Sequence, residues 1–300
     1  MFYCIFVGIG AFKHLCVSAT NMTEDNNLIE KNQDTDLDKT SEIMVDENKL
    51  SDSVNESEIL QDSGSFDELQ QLINSKKEGD TLKLEKDYSG SSELSITWNN
   101  FTLDGDGHIL DGAGKTRILN IFASGVTLKN IIFKDGATNE SGGAISWNGD
   151  SGTIIGSSFV NNHADGNGGA IGGSAYSSNN KIINTIFTGN TAQYGGALAW
   201  NSGNNTIIGS TFSRNTAENG GSINWGGNDA KIIDSVFEYN NATDGGAVNC
   251  YWGENHYISN TRFSNNSAYN GGALYLKGFN HMIVGSTFSR NVAEYGGSVN

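Results

Sequence analysis

The chain has 300 residues, of which 39 are Gly and none is Pro, and its formal net charge is −16 at pH 7. Surfaces that bind nucleic acids carry clustered Lys and Arg, so this acidity argues against a nucleic acid as partner. The absence of Pro suits stacked strands, in which most backbone N–H groups donate hydrogen bonds to the neighbouring strand.

Residues 1–19 have the features of a secretory signal peptide. Residues 2–12 are apolar apart from Gly, and Val17, Ser18 and Ala19 form a small-residue cleavage site. The apolar run is shorter than the about 20 residues that a membrane-spanning helix needs. We therefore predict a secreted or cell-surface (cell envelope) protein with no membrane span in this chain.

Residues 20–64 are predicted to form an acidic, disordered spacer. This segment carries 13 acidic and 3 basic side chains, and it has isolated apolar residues and no aromatic residue. Such a segment cannot bury enough apolar surface to fold by itself.

A short helix is predicted over residues 65–75. Ser65 and Glu68 form a capping box at its start. One helix face is apolar: Phe66, Leu69, Leu72 and Ile73. We expect this face to cover the first strands of the following domain, whose edge and core would otherwise be exposed.

A unit of about 25 residues recurs over residues 131–300. Each unit has a Phe followed by a Gly pair, and successive Phe residues lie 26, 28, 25, 25, 26 and 25 residues apart. Short β-branched runs, such as Ile207 and Ile208, are bounded by Gly, Asn and Ser and are typical of strands. Three short strands and three turns fit one coil of a parallel β-helix, with coils stacked about 4.8 Å apart.

The predicted fold is therefore all-β: a right-handed parallel β-helix over residues 65–300, with a short N-terminal capping helix. The right-handed winding is the one that parallel crossovers adopt. Residues 80–130 lack the repeat signature and are expected to form irregular coils before the regular repeats. The sequence ends directly after a Gly pair, so we expect the chain to be truncated at its C-terminus.

Equivalent residues of successive coils lie above one another in such a fold. We expect the Phe rings to stack in the core and the Asn amides to form an inward-facing ladder at a corner. The ladder positions are Phe159, Phe187, Phe212, Phe237, Phe263, Phe288, Asn162, Asn190, Asn215, Asn240, Asn266 and Asn291. The Gly pair is expected to supply a bend with positive φ or a close backbone approach. These roles are structural, so the repeat leaves no residue free for catalysis.

The densest polar cluster comprises Asp104, Asp106, His108 and Asp111, alternating with Gly. Its oxygen atoms could hold a calcium ion, or two of its carboxylates could act as acid and base on a glycoside. Asp-Gly pairs are also ordinary turn residues, and we favour that interpretation. We predict no catalytic residue, no metal site and no cofactor.

Three Trp residues occupy one repeat position, and later repeats place other residues there. These residues are Trp147, Trp200 and Trp225, followed by Cys250 and Leu276. Exchange with Leu and Cys predicts a buried column, with an exposed aromatic platform for sugar rings as the alternative. Cys250 would be the only cysteine left after signal cleavage, which rules out an internal disulfide.

Two segments of the repeat resemble known proteins: Gly168-Gly169-Ala170-Ile171, and Phe187 with Asn190 in a Phe-x-x-Asn pattern. They resemble the repeats of polymorphic outer-membrane proteins and of adhesin-like β-helix proteins on methanogen surfaces. The resemblance covers residues 80–300 and implies surface display and adhesion. We therefore predict a non-enzymatic, adhesin-like surface protein whose partners are cell-surface glycans or proteins of another cell.

Two alternatives remain open. One is a structural stalk within a larger surface protein. The other is a polysaccharide lyase or glycoside hydrolase of the β-helix fold, and lyases of this fold use a Lys or Arg base. Arg214 and Arg290 recur at one repeat position and are therefore expected at the surface. Arg117 and Arg262 are expected to lie apart, without acidic neighbours. An enzymatic function would therefore rest on analogy of fold alone.

Overall fold

The computed structural model describes residues 63–300, together with the backbone of residues 3–4 and 16–18. Residues 63–300 form a parallel β-solenoid of about 9 turns. This confirms the predicted all-β parallel β-helix with a short capping helix. The signal peptide and the acidic spacer predicted over residues 1–64 lie outside the described residues, apart from these short pieces.

Three parallel sheets run along the column. Sheet 1 contains Thr81–Lys83, Thr102–Asp104, Thr127–Lys129, Thr153–Ile155, Lys181–Ile183, Thr206–Ile208, Lys231–Ile233, Tyr257–Ser259 and Met282–Val284. Sheet 2 contains Gly64–Ser65, Tyr88–Ser89, Ile109–Asp111, Ile132–Lys134, Ser158–Val160, Ile186–Thr188, Thr211–Ser213, Val236–Glu238, Arg262–Ser264 and Thr287–Ser289. Sheet 3 contains Leu94–Ile96, Leu119–Ile121, Ile145–Trp147, Ile171–Gly173, Leu198–Trp200, Ile223–Trp225, Val248–Cys250 and Leu274–Leu276.

Shorter strands complete the secondary structure. Two parallel pairs, Ala137–Thr138 with His163–Ala164 and Ser267–Asn270 with Val292–Tyr295, lie between sheets 2 and 3 along the chain. Cys16–Ser18 pairs in parallel with Met282–Val284, the last strand of sheet 1. Tyr3–Cys4 pairs with Cys16–Ser18 in antiparallel orientation.

The core is a column in which each side chain meets its equivalent in the next coil. The strands pair in register, so that Phe187 faces Phe212 and Ile182 faces Ile207. The Phe rings from Phe133 to Phe288 are stacked with centroids between 4.6 and 5.0 Å apart. Because every coil adds one ring to the stack, the buried apolar surface grows with each repeat.

A ladder of buried Asn side chains runs beside the Phe stack. Asn215 donates from Nδ2 to the carbonyl oxygen of Phe187 at 3.1 Å and to Oδ1 of Asn240 at 3.1 Å. Its own Oδ1 accepts from the backbone N–H and from Nδ2 of Asn190, both at 3.0 Å. The ladder begins at Gly136, whose N–H donates to Oδ1 of Asn162. Each amide therefore satisfies polar groups of two coils inside the solenoid.

The two glycines of each pair have different roles, as Gly195 and Gly196 illustrate. Gly195 has a φ of 65°, a conformation that residues with a Cβ rarely adopt. Gly196 lies against the backbone of the next coil, and a Cβ there would collide with the carbonyl oxygen of Gly221. The pair thus supplies both the bend and the close approach.

The helix Phe66–Asn74 covers the first coil. Ser65 caps it by accepting a hydrogen bond from the N–H of Glu68 at 3.1 Å, and Phe66, Leu69 and Ile73 are buried. Leu72 was expected on the same face but is 38% exposed. The apolar face of the helix that contacts the first coil therefore consists of three residues, without Leu72.

Residues 80–130 continue the three sheets although they lack the repeat signature. In sheet 1, Leu82, Leu103, Leu128 and Ile154 pair one above the other. The apolar central residue of each strand is therefore enough to keep the coil in register without the Phe and Asn ladders.

A second ladder, at the corner between sheets 3 and 1, changes from Asn to His along the column. The N–H of Asn180 donates to Oδ1 of Asn205 at 2.8 Å. Farther along, the N–H of Ala230 donates to Nδ1 of His256 at 3.3 Å, and the N–H of His256 donates to Nδ1 of His281 at 3.4 Å. The two His rings stack with centroids 4.9 Å apart. Nδ1 must be unprotonated in order to accept these bonds.

Acid is expected to destabilise this part of the solenoid. Burial, reinforced by neighbouring His281, lowers the pKa of His256 from 6.5 to about 3. Between these pH values the imidazole of His256 is protonated in the unfolded chain but neutral in the folded chain. The contribution of His256 to stability is therefore complete above about pH 6.5 and is lost as the pH falls towards 3. Chemical denaturation of wild type and His256→Asn across this range is expected to show a steeper loss for wild type, because Asn restores the acceptor without a titrating ring. Equal slopes would contradict this role.

Candidate functional site

The cluster over residues 104–111 is divided between two sheets and paired with lysines. Asp104 ends a strand of sheet 1 and contacts Lys129 at 3.0 Å, whereas Asp111 ends a strand of sheet 2 and contacts Lys134 at 3.2 Å. Burial alone would raise the pKa of Asp104, but hydrogen bonds from Lys129, the backbone of Asp106 and Asn130 keep it below its usual value.

The other two members of this cluster also have partners of their own. Asp106 forms an ion pair with Lys83 at 2.8 Å, and His108 lies 3.0 Å from Asp87. Over residues 63–300, no group of three His, Cys, Asp or Glu residues is placed to hold a metal ion. Each of the four side chains is paired with a residue of a neighbouring coil.

Arg117 corrects an expectation from the sequence. It was predicted to lack acidic neighbours, but its buried guanidinium lies between Glu93 at 3.1 Å and Glu140 at 2.8 Å. Its Nε also donates to the carbonyl oxygen of Gly142 at 3.0 Å. Arg262 likewise pairs with Glu238 at 3.2 Å. Glu93 lies one coil before Arg117 and Glu140 lies one coil after it. The Arg117 side chain therefore joins three coils, and its N–H donors are occupied.

The Trp column lies in the core. Trp147, Trp200 and Trp225 are each 1% exposed. Cys250 follows them in the same column, and burial raises the pKa of its thiol to about 12. The exposed platform considered for these Trp residues is therefore absent at this position. Arg214 is exposed and lies 5.7 Å from the ring centroid of Tyr239.

A groove follows the corner between sheets 2 and 3, and we call it the corner groove. Its volume is about 460 Å³ over four coils. It is lined by His163, Ala164, Asp165, Thr191, Ala192, Gln193, Thr216, Ala217, Glu218, Asn241, Ala242 and Thr243. The alanines are buried or half-buried, whereas most of the flanking polar side chains are exposed. A second recess of about 480 Å³ meets it at His163 and continues towards the N-terminus.

Backbone bridges hold the rows of the corner groove in register. His163, Thr191, Thr216 and Asn241 pair in succession, in parallel. Each row therefore presents a similar set of hydroxyl, amide or carboxylate groups about 4.8 Å from the next row. The groove was not predicted from the sequence. The signal that could have revealed it is the Ala two residues after each ladder Asn of these four coils, which has polar residues on either side.

The corner groove has an acidic and well-paired lining. Asp165 lies 3.1 Å from Nε2 of His163, and Glu218 accepts a hydrogen bond from Gln193 at 3.3 Å. None of its lining residues is Lys or Arg. This lining suits hydrogen bonding to a neutral polymer better than binding to a polyanion.

Comparisons with known proteins agree with the repeat fold. The Chlamydia polymorphic membrane protein repeat matches residues 156–174 and 260–277. Each matched segment contains a Phe, a ladder Asn and a Gly pair. With the parallel solenoid, these matches identify a β-helix repeat protein. Two segments of this chain are thus similar to the polymorphic membrane protein repeat, and together they span much less than half of the chain. A comparison with curated protein sequences finds no match.

Three solved structures show a low similarity to this chain. One is a PL6 alginate lyase in complex with a trisaccharide, at 13% identity and a TM-score of 0.44, where 75% of this chain covers 56% of the lyase. Another alginate lyase has 14% identity and a TM-score of 0.46, with 76% and 58% covered. A protein of Geobacillus virus E2, ORF18, has 14% identity and a TM-score of 0.43, with 78% and 59% covered. The chain thus spans less than two thirds of the length of each of these proteins.

No helix in the part of the chain that the structure describes has the length and apolar character needed to cross a bilayer.

Proposed function

We propose that the chain is a non-enzymatic, adhesin-like module of the cell surface that holds an extended neutral glycan along the corner groove. The observation that carries this proposal is the groove itself, with similar polar rows repeated along four coils. A polymer of similar units can make similar hydrogen bonds at successive rows, and many weak contacts of this kind add up. The match to the polymorphic membrane protein repeat supports display at the cell envelope.

The lining of the groove favours binding over catalysis. A glycoside hydrolase needs two carboxylic groups on opposite sides of the bond that is cleaved. Asp165 and Glu218 lie two coils apart, and each has its own hydrogen-bond partner. A lyase acting on an acidic polysaccharide needs positive charge beside the substrate carboxylate, and no Lys or Arg lines this groove. These features support the adhesin-like function over the enzyme.

A glycan array run beside lyase and hydrolase assays on the same polysaccharides tests the proposal. We expect saturable binding to neutral glycans without turnover. Thr216→Trp fills the groove from an exposed position and is expected to weaken binding at least about tenfold, equivalent to 1.4 kcal/mol. Lys231→Trp, exposed on sheet 1, is the matched control and should bind as wild type does.

Two other outcomes would overturn the proposal. Turnover that disappears on changing Asp104, Asp106 or Asp111 would establish the enzyme instead. If neither binding nor turnover is found, the solenoid is a structural stalk.

A further inference from the structure

Four residues at and beside the corner between sheets 3 and 1 form a cluster that we call the aromatic patch: exposed Tyr251 and Trp252, and half-buried Tyr275 and Lys277. Cys250 pairs with Leu276 in the register of sheet 3, so the next residues, Tyr251 and Lys277, are neighbours in successive coils. Lys277 Nζ lies 4.1 Å from the ring centroid of Tyr251 and 5.2 Å from that of Tyr275. The stacking of coils thus places a cation between two aromatic rings.

The large side chain of Trp252 does not pack in the core of the solenoid. It is 77% exposed, and its ring meets that of Tyr251 edge-on with centroids 4.6 Å apart. Trp147, Trp200 and Trp225, by contrast, fill the core. An exposed aromatic face held by a neighbouring ring is a surface on which the C–H groups of a sugar can pack.

Lys277 brings positive charge to this surface. Within residues 63–300, no carboxylate lies within ion-pair distance of Nζ. The neighbouring side chains of Tyr275 and Tyr251 raise the pKa of Lys277 above its ordinary value, and the amine is charged at neutral pH. A charge-assisted bond from Nζ to a carboxylate is stronger than one to a neutral oxygen.

We propose that the aromatic patch binds an acidic saccharide, with a sugar ring against Trp252 and the carboxylate of a uronic acid at Lys277. The inference deepens the proposed glycan contact and rests on it for the class of ligand, but it uses another corner of the solenoid. The two surfaces differ in charge, because Asp165 and Glu218 line the corner groove. The patch therefore selects acidic sugars, whereas the groove favours neutral ones.

Calorimetry with a trigalacturonate and its fully methyl-esterified form tests the inference, since esterification removes the charge of each carboxylate and adds only a methyl group. Wild type is expected to bind the acid form at least about tenfold more tightly than the ester. Lys277→Gln should abolish this preference, and Trp252→Ala should weaken binding of both forms at least about tenfold. Tyr176→Ala removes an aromatic ring that is 85% exposed and should change neither affinity.

The outcomes separate the patch from the groove. Thr216→Trp in the corner groove should leave trigalacturonate binding unchanged, and retained circular dichroism of each variant shows that it is folded. Equal binding of acid and ester by wild type, no binding of either, or unchanged binding by both patch variants would overturn the inference. Loss of acid binding in Thr216→Trp would assign the ligand to the groove and would equally overturn it.

Discussion

Phe212→Ala is expected to lower the free energy of unfolding by about 3–5 kcal/mol, the range for deleting a fully buried aromatic side chain. The Phe212 ring is 0% exposed, with stacked neighbours at 4.6 Å on one side and 4.7 Å on the other. Its removal leaves a cavity between Phe187 and Phe237, which the close-packed coils cannot collapse to fill. Urea or guanidinium denaturation, monitored by far-UV circular dichroism, measures the change.

Phe122→Ala is the matched control, because the side chain of Phe122 is 60% exposed. Its loss should change the unfolding free energy by less than about 0.5 kcal/mol, as for other surface substitutions. If Phe212→Ala cost no more than this control, the Phe stack would not be the stabilising core of the solenoid.

Asn215→Ala is expected to cost about 3 kcal/mol or more, since unpaired buried polar groups cost about 1–3 kcal/mol each. The substitution leaves the N–H of Asn190 without its acceptor and removes the hydrogen bond to the carbonyl oxygen of Phe187. Oδ1 of Asn240 loses one of its two donors and keeps the bond from the backbone N–H of residue 215. The same denaturation experiment measures the effect.

Asn215→Asp separates hydrogen bonding from packing. It keeps the size and the acceptor oxygen of Asn, but it replaces the two donated bonds with a buried negative charge, and we expect at least the same loss of stability. Asn201→Ala is the control, because Asn201 is exposed. A small effect of both Asn215 variants, equal to that of the control, would show that the ladder does not hold the coils together.

The repeat predicted the architecture because every coil stacks on the preceding one in the same register. A residue at one position in the 25-residue unit meets the residue at the same position in the next unit, so a period in sequence becomes a column in space. The structure places the Phe rings and Asn amides in such columns, from Phe133 to Phe288 and from Asn162 to Asn291. The helix at residues 66–74 was likewise readable from the capping residue Ser65.

The exposure and the contacts of individual side chains were less predictable from the sequence. Leu72 shares a helical period with Leu69, yet Leu69 is buried and Leu72 is exposed. Arg117 is joined to Glu93 and Glu140, which are 24 and 23 residues away in sequence. Such contacts depend on side-chain reach across a coil edge, which a repeat pattern does not specify.

The sequence by itself determined a parallel solenoid with Phe and Asn ladders, because each residue of a stacked repeat lies directly next to its equivalent in the neighbouring coil. Only the tertiary structure decided which surfaces are left for binding. The corner groove arises because the alanines recede while the residues around them remain at the surface. The aromatic patch arises because one coil brings Tyr251 and Trp252 to the surface and the next brings Lys277 over the Tyr251 ring. These residues differ from their equivalents in other coils, so the repeat does not predict the patch. They lie close together because successive coils are stacked about 4.8 Å apart.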